Sequence, residues 1–201
     1  RNELKDLNEI LKQHLNQSLF IWERPKPNTR YYIGVDSAEG VGGDYSTIEV
    51  FSQDGVQIAE FRNNKIAPHI FSSVVYELAK LYNTAFLVIE KASAGHTVVS
   101  KLRYDYKYRN MYMHRSYDAR GRSKKSVGFV TDSKTKPMMI NNFREKWEEG
   151  QILINSKTLL EEMKVFKIEG SKMGAIAGRH DDTVMATAMA LMGIDAGIWY
   201  I

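Results

Sequence analysis

Near the start of the chain, apolar residues recur every three or four positions: Leu4, Leu7, Ile10, Leu11, Leu15 and Leu19, with polar residues between. That spacing predicts an amphipathic helix over residues 1–20. The prolines of Glu23-Arg24-Pro25-Lys26-Pro27-Asn28 fix φ and favour extended backbone, which ends it. Residues 1–29 therefore read as a helical tail and Pro-containing linker from a preceding domain, with direct packing of the helix on the main domain as the alternative. Residues 30–201 read as that main domain.

From Arg30 the period changes. Tyr31–Asp36 is a short apolar run, followed by a Gly-rich turn and by Ser46–Ser52. Asp54-Gly55 is a hairpin turn signal and leads into Val56–Arg62, so three strands form an opening meander. A helix is predicted from Pro68 to about Tyr82, with Ile70, Val74, Leu78 and Leu81 on one side. Phe86-Leu87-Val88-Ile89-Glu90 is the near-continuous apolar run of a strand buried on both faces. A helix over about Gly95–Tyr104 and a short strand at Met111–His114 follow. Residues 115–133 read as a polar loop. Then come a helix from Lys134 or Thr135 to Glu149, stopped by Gly150, a short strand at Ile152–Ile154 and a helix over Lys157–Phe166. Residues 167–179 read as a Gly-containing loop, and Asp181–Ile194 as a last helix rich in Ala and Met. This order predicts an α/β fold whose sheet opens antiparallel and continues in parallel.

The 201 residues suffice for one sizeable core. There is no cysteine, which excludes disulfides, thiolate zinc sites, iron–sulfur clusters and a cysteine nucleophile. No apolar run reaches the ~20 residues of a membrane span, and the N-terminus has no signal-peptide core. The chain starts at Arg1 without an initiator Met, so it is expected to be an excised piece of a longer one. The net charge is +4, but its distribution matters more. Residues 101–125 hold nine Lys and Arg against Asp105 and Asp118. Arg115, Arg120, Arg122, Lys124 and Lys125 are candidate DNA-phosphate contacts, since such cations release counterions from a phosphate backbone. A solvated helix face with an ordinary loop is the plainer reading. Five tyrosines (104, 106, 108, 112 and 117) are interleaved.

The chemistry lies in the acids. Asp36 ends the first strand of the main domain, Glu90 ends the buried strand, and Asp181 and Asp182 open the last helix. Ligand sites in open α/β sheets lie beyond the carboxyl ends of strands, and a helix N-terminus favours negative charge. Three separate segments can thus deliver carboxylates to one crevice. Such a cluster repels itself unless a divalent cation neutralises it, and carboxylate oxygens suit Mg²⁺ or Mn²⁺. Two such ions ~3.5–4 Å apart support phosphodiester hydrolysis. Each acid also has a plainer reading: Asp36 as a turn residue, Asp181 or Asp182 as a helix cap. Glu90 is harder to dismiss, since a lone buried carboxylate is costly. Asp44, across the Gly-rich turn, is a supporting acid or a turn residue. His180 can ligate metal, orient a water or cap its loop. Ser37 and Ser93 have no evident base partner, and no phosphate-binding GxxxxGK[ST] loop occurs.

On these segments the chain resembles the nuclease domain of the large terminase subunit of tailed bacteriophages, the ribonuclease H-like part of a DNA-packaging motor. Asp36, the Gly-containing turn and Asp44 are similar to the family's opening acidic segment. AFLVIEKASAG resembles its second acidic strand, GFVTDSKTKPMMINNFREKWEEGQILINS its Thr-Lys helix and following strand, and GRHDDTVMATAMAL its terminal His-Asp-Asp helix. The resemblance runs from about Tyr31 to Gly193. It implies a ribonuclease H-like mixed sheet flanked by helices. It also implies an Mg²⁺- or Mn²⁺-dependent endonuclease, acting on double-stranded viral DNA concatemers during packaging and using two ions. Asp36, Glu90 and Asp182 would be the catalytic metal ligands, with Asp181 assisting. Asp182 is favoured because it directly precedes the helix face of Val184, Met185 and Ala188. Further implied are an N-terminal ATPase domain in the full-length subunit, the portal and the small terminase subunit as partners, and action in the host cytoplasm. Competing readings are a junction resolvase or strand transferase of the same fold, an actin-like ATPase fragment, and a non-catalytic DNA-binding module. The actin-like reading is disfavoured by length and by the lack of a second phosphate hairpin. The last leaves Glu90 unexplained.

Overall fold

The computed structural model describes residues 7–117, 120–169 and 172–196. The first six residues of the expected N-terminal helix, and Asp118 in the basic segment, lie outside the described residues. The expected long helix is corrected. Among the described residues its helical part is one turn, α1 (Glu9–Lys12), opened by the Asn8 side chain, which accepts the Ile10 N–H. Asn16, at φ 60°, turns the chain, and β1 (Leu19–Ile21) joins the sheet as an edge strand. Leu7, Leu11 and Leu19 are all buried against the main core. The leucine spacing thus reports burial, achieved by a turn and a strand rather than by one helix.

Next come β2 (Tyr31–Asp36), β3 (Ser46–Ser52) and β4 (Gln57–Asn63), then α2 (Pro68–Leu81) and β5 (Phe86–Ile89). The strand order is β1-β4-β3-β2-β5, antiparallel throughout except for the parallel pair β2–β5. The expected mixed sheet, antiparallel and then parallel, is what forms. After β5, α3 (Gly95–Ser100) runs into a π-helical turn at Lys101–Asp105.

Residues 115–133, read as a loop, contain a strand and most of a hairpin. β6 (Met113–Tyr117) pairs with β7 (Ser123–Val127), Arg115 opposite Lys125. The exposed part of this ribbon buries neither face, so no hydrophobic alternation marks it. Then come α4 (Thr135–Glu148) and α5 (Lys157–Val165). The expected strand at Ile152–Ile154 reduces to one bridge, Leu153 beside Val56. The expected 167–179 loop holds a second hairpin, β8 (Phe166–Glu169) with β9 (Lys172–Ala175). The last helix is α6 (Asp182–Ala196). Among the described residues no helix is long and apolar enough to cross a membrane.

Alternation along the strands splits the core in two. Ile33, Val35, Ile48, Val50, Leu87 and Ile89 face α2 and α3. Tyr32, Phe51, Phe86 and Val88 face α4, α5 and α6. Gly34 lies on this second face, and a Cβ there would fall 1.8 Å from the Ala186 carbonyl oxygen. Helix and strand backbones are therefore in direct contact. Ala186, Ala188 and Ala190 keep α6 thin enough to sit there, buried from Asp182 to Leu191. Asp36 follows Gly34 on the same face, so this contact sets the distance from the end of β2 to the start of α6.

The same layer holds a polar network. Glu49 on β3 and Glu60 on β4 are buried cross-strand partners. Burial pushes both carboxyls up, and Glu49 most, since the Glu60 charge adds to it. Gln57 donates to Glu49 (2.7 Å) and accepts the N–H groups of Asn155 and Ser156 (both 2.8 Å), tying the start of α5 to the sheet.

Gly34→Ala is expected to destabilise the protein by about 3 kcal/mol or more, because neither backbone can move aside. Chemical denaturation measures it, and a loss below 1 kcal/mol would mean that α6 does not rest on this glycine.

Candidate metal centre

The acids gather where β2, β5 and α6 meet. Asp36 is the last residue of β2. Glu90 directly follows β5 and shares the face of Phe86 and Val88 by alternation. Its N–H donates to the Val35 carbonyl (3.0 Å), which holds Glu90 beside Asp36. Gly95 lets α3 begin tight against this corner: a Cβ there would lie 1.8 Å from the Glu90 carbonyl oxygen. Asp181 caps α6, its carbonyl accepting the Met185 N–H, and Asp182 is the helix's first residue.

Asp36 lies close enough to Glu90 for the two carboxylates to repel each other. Burial raises the Asp36 carboxyl well above its ordinary range, and the charges of Glu90, Asp182 and Asp181 raise it further. Asp182 is buried and is pushed up to about 6. Burial is the main cause, with Glu162 and Asp44 adding to it, while the Tyr45 N–H (3.1 Å) and His180 oppose it. Asp181 sits apart from Asp182, accepting the Ala175 N–H at 3.3 Å with the Lys136 ammonium 4.0 Å away.

The Gly-rich turn closes the other side. Gly40, at φ 75°, packs where a Cβ would lie 2.3 Å from the Ile66 carbonyl oxygen, and the Gly42 N–H bonds Asn64. So anchored, the turn brings Asp44 to His180, 3.7 Å from its Nδ1 to Asp44 Oδ1, with Asp182 Oδ2 at 3.5 Å. Asp44, His180 and Asp182 offer ligand atoms within 4.8 Å of one another. A cavity of about 340 Å³ opens here, lined by Asp36, Glu39, Asp44, Tyr45, Ser93 and Asp182. Ser93 donates to Glu39 (2.8 Å), joining the loops after β2 and β5 across its mouth.

Asp44, His180 and Asp182 are thus at ligand distance of one another, while Glu90, Asp182 and Asp181 lie near enough to Asp36 for their charges to act on it. The candidates form an oxygen-rich set with one imidazole, and burial first and then these like charges raise the Asp36 carboxyl, a cost a divalent cation would relieve. The donor set fits Mg²⁺ or Mn²⁺.

The cationic candidates lie outside the cluster. Arg115, Arg120, Arg122, Lys124 and Lys125 are exposed on the β6–β7 ribbon and its turn. The ribbon grows from the sheet edge between Met111, which bridges Leu87, and Phe129, which bridges Glu90. Its root therefore flanks the acidic corner. Three interleaved tyrosines serve packing. Tyr106 stacks on Tyr76, the Tyr108 hydroxyl bonds the Ala85 carbonyl, and Tyr112 meets Phe129 edge-on. Tyr104 and Tyr117 are exposed. Sequence reasoning gave Lys136, Tyr45, Arg62 and Glu162 no part in the site. A lysine one residue into a helix and a buried glutamate in MKVF-type context carry no local signal of their distant partners.

Without metal, the Asp182 carboxyl makes stability fall with pH. Its folded value, about 6, exceeds the ordinary 3.8. The contribution is therefore fully present below about pH 3.8 and is lost as pH rises through about 6. Asp182→Asn is expected to gain on the order of 2 kcal/mol over wild type between pH 4 and 7 in chelator. Denaturation curves of the two at several pH values measure this, and a constant difference would refute it.

A family model described as terminase RNaseH-like domain matches residues 33–193. No curated protein sequence matches the chain. The large terminase nuclease from thermophilic phage G20c, solved with bound magnesium, aligns with a TM-score of 0.69 at 24% identity, over 87% of this chain and 87% of that one. Its cobalt-bound form gives 0.69 at 23% identity, with 87% of each chain covered. The Thermus phage P74-26 large terminase nuclease domain gives 0.69 at 23% identity, over 92% of this chain and 90% of that one. These likenesses fix the fold as ribonuclease H-like. The family match spans β2 to α6 and takes in Asp36, Glu90 and Asp182, so the chain belongs to the terminase RNaseH-like domain family.

Proposed function

We propose that this domain is a metal-dependent endonuclease that cuts double-stranded viral DNA concatemers during genome packaging. The observation that carries the reading is the convergence of the half-buried Asp36 and Glu90 and the buried Asp182 from three segments, with like charges raising the Asp36 carboxyl, beside a cationic ribbon. Magnesium and cobalt in the G20c nuclease structures support a divalent ion here.

Asp36, Glu90 and Asp182, with Asp181, would hold the ions, and Asp44 and His180 would support the set on the turn side. Two Mg²⁺ or Mn²⁺ ions, when bound, supply an activated water and stabilise the leaving oxygen of the phosphodiester. The protein contributes placement. The Val35 carbonyl fixes Glu90, the Tyr45 N–H fixes one oxygen of Asp182, and the Ala175 N–H fixes Asp181. The raised Asp36 carboxyl would have to be deprotonated to bind an ion, so ion affinity is expected to rise with pH. Lys136, beside Asp181, is placed to meet a phosphate entering the corner. The ribbon cations hold the duplex through its backbone, which predicts little sequence preference. In the longer subunit an ATPase domain would precede this one, with the portal and the small terminase subunit as partners in the host cytoplasm.

Plasmid digestion with added Mn²⁺ or Mg²⁺ is expected to give linear and then shorter products, and none with chelator. Asp36→Ala and Glu90→Ala should lose activity by at least 10³-fold or so while keeping the wild-type circular dichroism. Cutting in chelator, or undiminished cutting by either variant, would refute the mechanism.

DNA affinity should fall steeply with salt, by about 0.9 log unit of affinity per log unit of salt for each neutralised phosphate. Replacing Arg120, Arg122, Lys124 and Lys125 together should flatten that slope by roughly two to four such increments. An unchanged slope in a fluorescence-anisotropy titration places the DNA track elsewhere.

A further inference from the structure

A closed circuit of contacts ties the candidate metal ligands to a helix with no ligand of its own. Tyr45, just before β3, donates its N–H to Asp182 Oδ2 (3.1 Å). Its ring meets the His180 imidazole edge-on, with centroids 5.1 Å apart. The Arg62 guanidinium of β4 lies over that same ring, 3.2 Å from the centroid. Arg62 Nη2 pairs with Glu162 Oε1 of α5 at 3.2 Å. The other oxygen of Glu162 accepts the Thr183 N–H (2.9 Å) and the Thr183 hydroxyl, which returns the circuit to the residue after Asp182.

Each link is chemically matched. Thr183 presents an unpaired N–H at the start of α6, and Glu162 supplies the anion a helix start favours. That charge is balanced by Arg62, whose flat guanidinium then stacks on the tyrosine. Glu162 is buried, so its interactions are not diluted by solvent. Both its oxygens are engaged, which leaves it no ligand role. The Tyr45 ring touches both His180 and the cation, yet its hydroxyl takes no part in the circuit.

We infer that Tyr45, Arg62 and Glu162 are positioning residues that hold Asp182 and His180 at ligand distance for the metal. This rests on the metal-site reading of Asp182. The brace ties the aim of the ligands to the seating of α5: displacing Glu162 releases Arg62, then the Tyr45 ring, then His180. Removing supporting partners of metal ligands typically costs about 10–100-fold in affinity.

The test is Mn²⁺ titration by calorimetry on wild type, Tyr45→Phe, Tyr45→Ala, Glu162→Gln and Asp182→Asn, with metal-free Tm recorded for each. Tyr45→Phe keeps the ring and the N–H and should bind within about twofold of wild type. Tyr45→Ala should bind about tenfold more weakly or worse. Glu162→Gln keeps an acceptor for Thr183 but loses the charge opposite Arg62, and should fall between them. A role in stability alone would lower the metal-free Tm and leave affinity unchanged. If Tyr45→Ala folds and binds Mn²⁺ like wild type, the brace is refuted. If it does not fold, wild-type affinity in Glu162→Gln refutes it instead. No Mn²⁺ binding by wild type, or unchanged binding by Asp182→Asn, overturns the metal-site reading and the brace with it. Loss in Asp182→Asn without loss in Tyr45→Ala overturns the brace alone.

Discussion

The backbone of α6 rests on the backbone of β2 at Gly34, with no side chain between them. A helix packed on a sheet through ordinary side chains stands about 10 Å off. The missing Cβ draws this one inward and removes most of its freedom to slide. Gly193, at the far end of α6, makes room instead for side chains of the sheet, where a Cβ would meet the Val88 side chain at 3.0 Å. Contact at two places fixes the helix axis, and a fixed axis places the N-terminus of α6. Asp36, two residues of strand beyond Gly34, and Asp182, one helical turn before Ala186, are thereby held near each other. A loosely packed α6 could fold as well, but it could not hold carboxylates within a few tenths of an ångström.

That placement works against stability. Burial and like charge lift the Asp36 and Asp182 carboxyls far from their ordinary range. Each such shift is free energy that the rest of the fold must offset. The offsets are local and identifiable. At Asp182 they are the α6 helix dipole, the Tyr45 N–H and His180. Strain of this kind is expected where a site awaits a cation, because an acid cluster already satisfied by protein groups would bind one weakly. Glu49 and Glu60 make the contrast. They too are acids raised by burial, but they lie inside the core, with Gln57 donating to Glu49.

What could be read from sequence follows from how local each signal is. The strands of the meander, α2 and α4 were legible because each buries one face and so imposes a period on its residues. Asp36 and Glu90 were legible because an acid ends an apolar run in both. The N-terminal leucines misled because helix spacing and burial in a turn plus strand give the same pattern over so few residues. The β6–β7 ribbon was legible only at its start, where the strand expected at Met111–His114 overlaps β6, because its basic, exposed remainder carries no alternation. Tyr45, Arg62 and Glu162 were illegible for a deeper reason. Their roles depend on residues up to 137 positions away, as for the Tyr45 bond to Asp182, and a single sequence carries no trace of such pairing.

The position of the ribbon completes the electrostatic design. A lone acidic corner repels a polyanion, and DNA phosphates would not approach it unaided. The β6–β7 hairpin leaves the sheet between the strand positions of Leu87 and Glu90, so on the proposed reading its root flanks the acids and its cations extend outward from them. Screening limits such help to about 10 Å at ordinary salt, which makes placement at the sheet edge matter more than total charge. This is why a net charge of only +4 is compatible with a DNA substrate. The excess is concentrated where the backbone must be held against the repulsion of the site. The acids then need no more positive surface than one hairpin supplies, and the sheet that positions the ligands also positions the counter-charge.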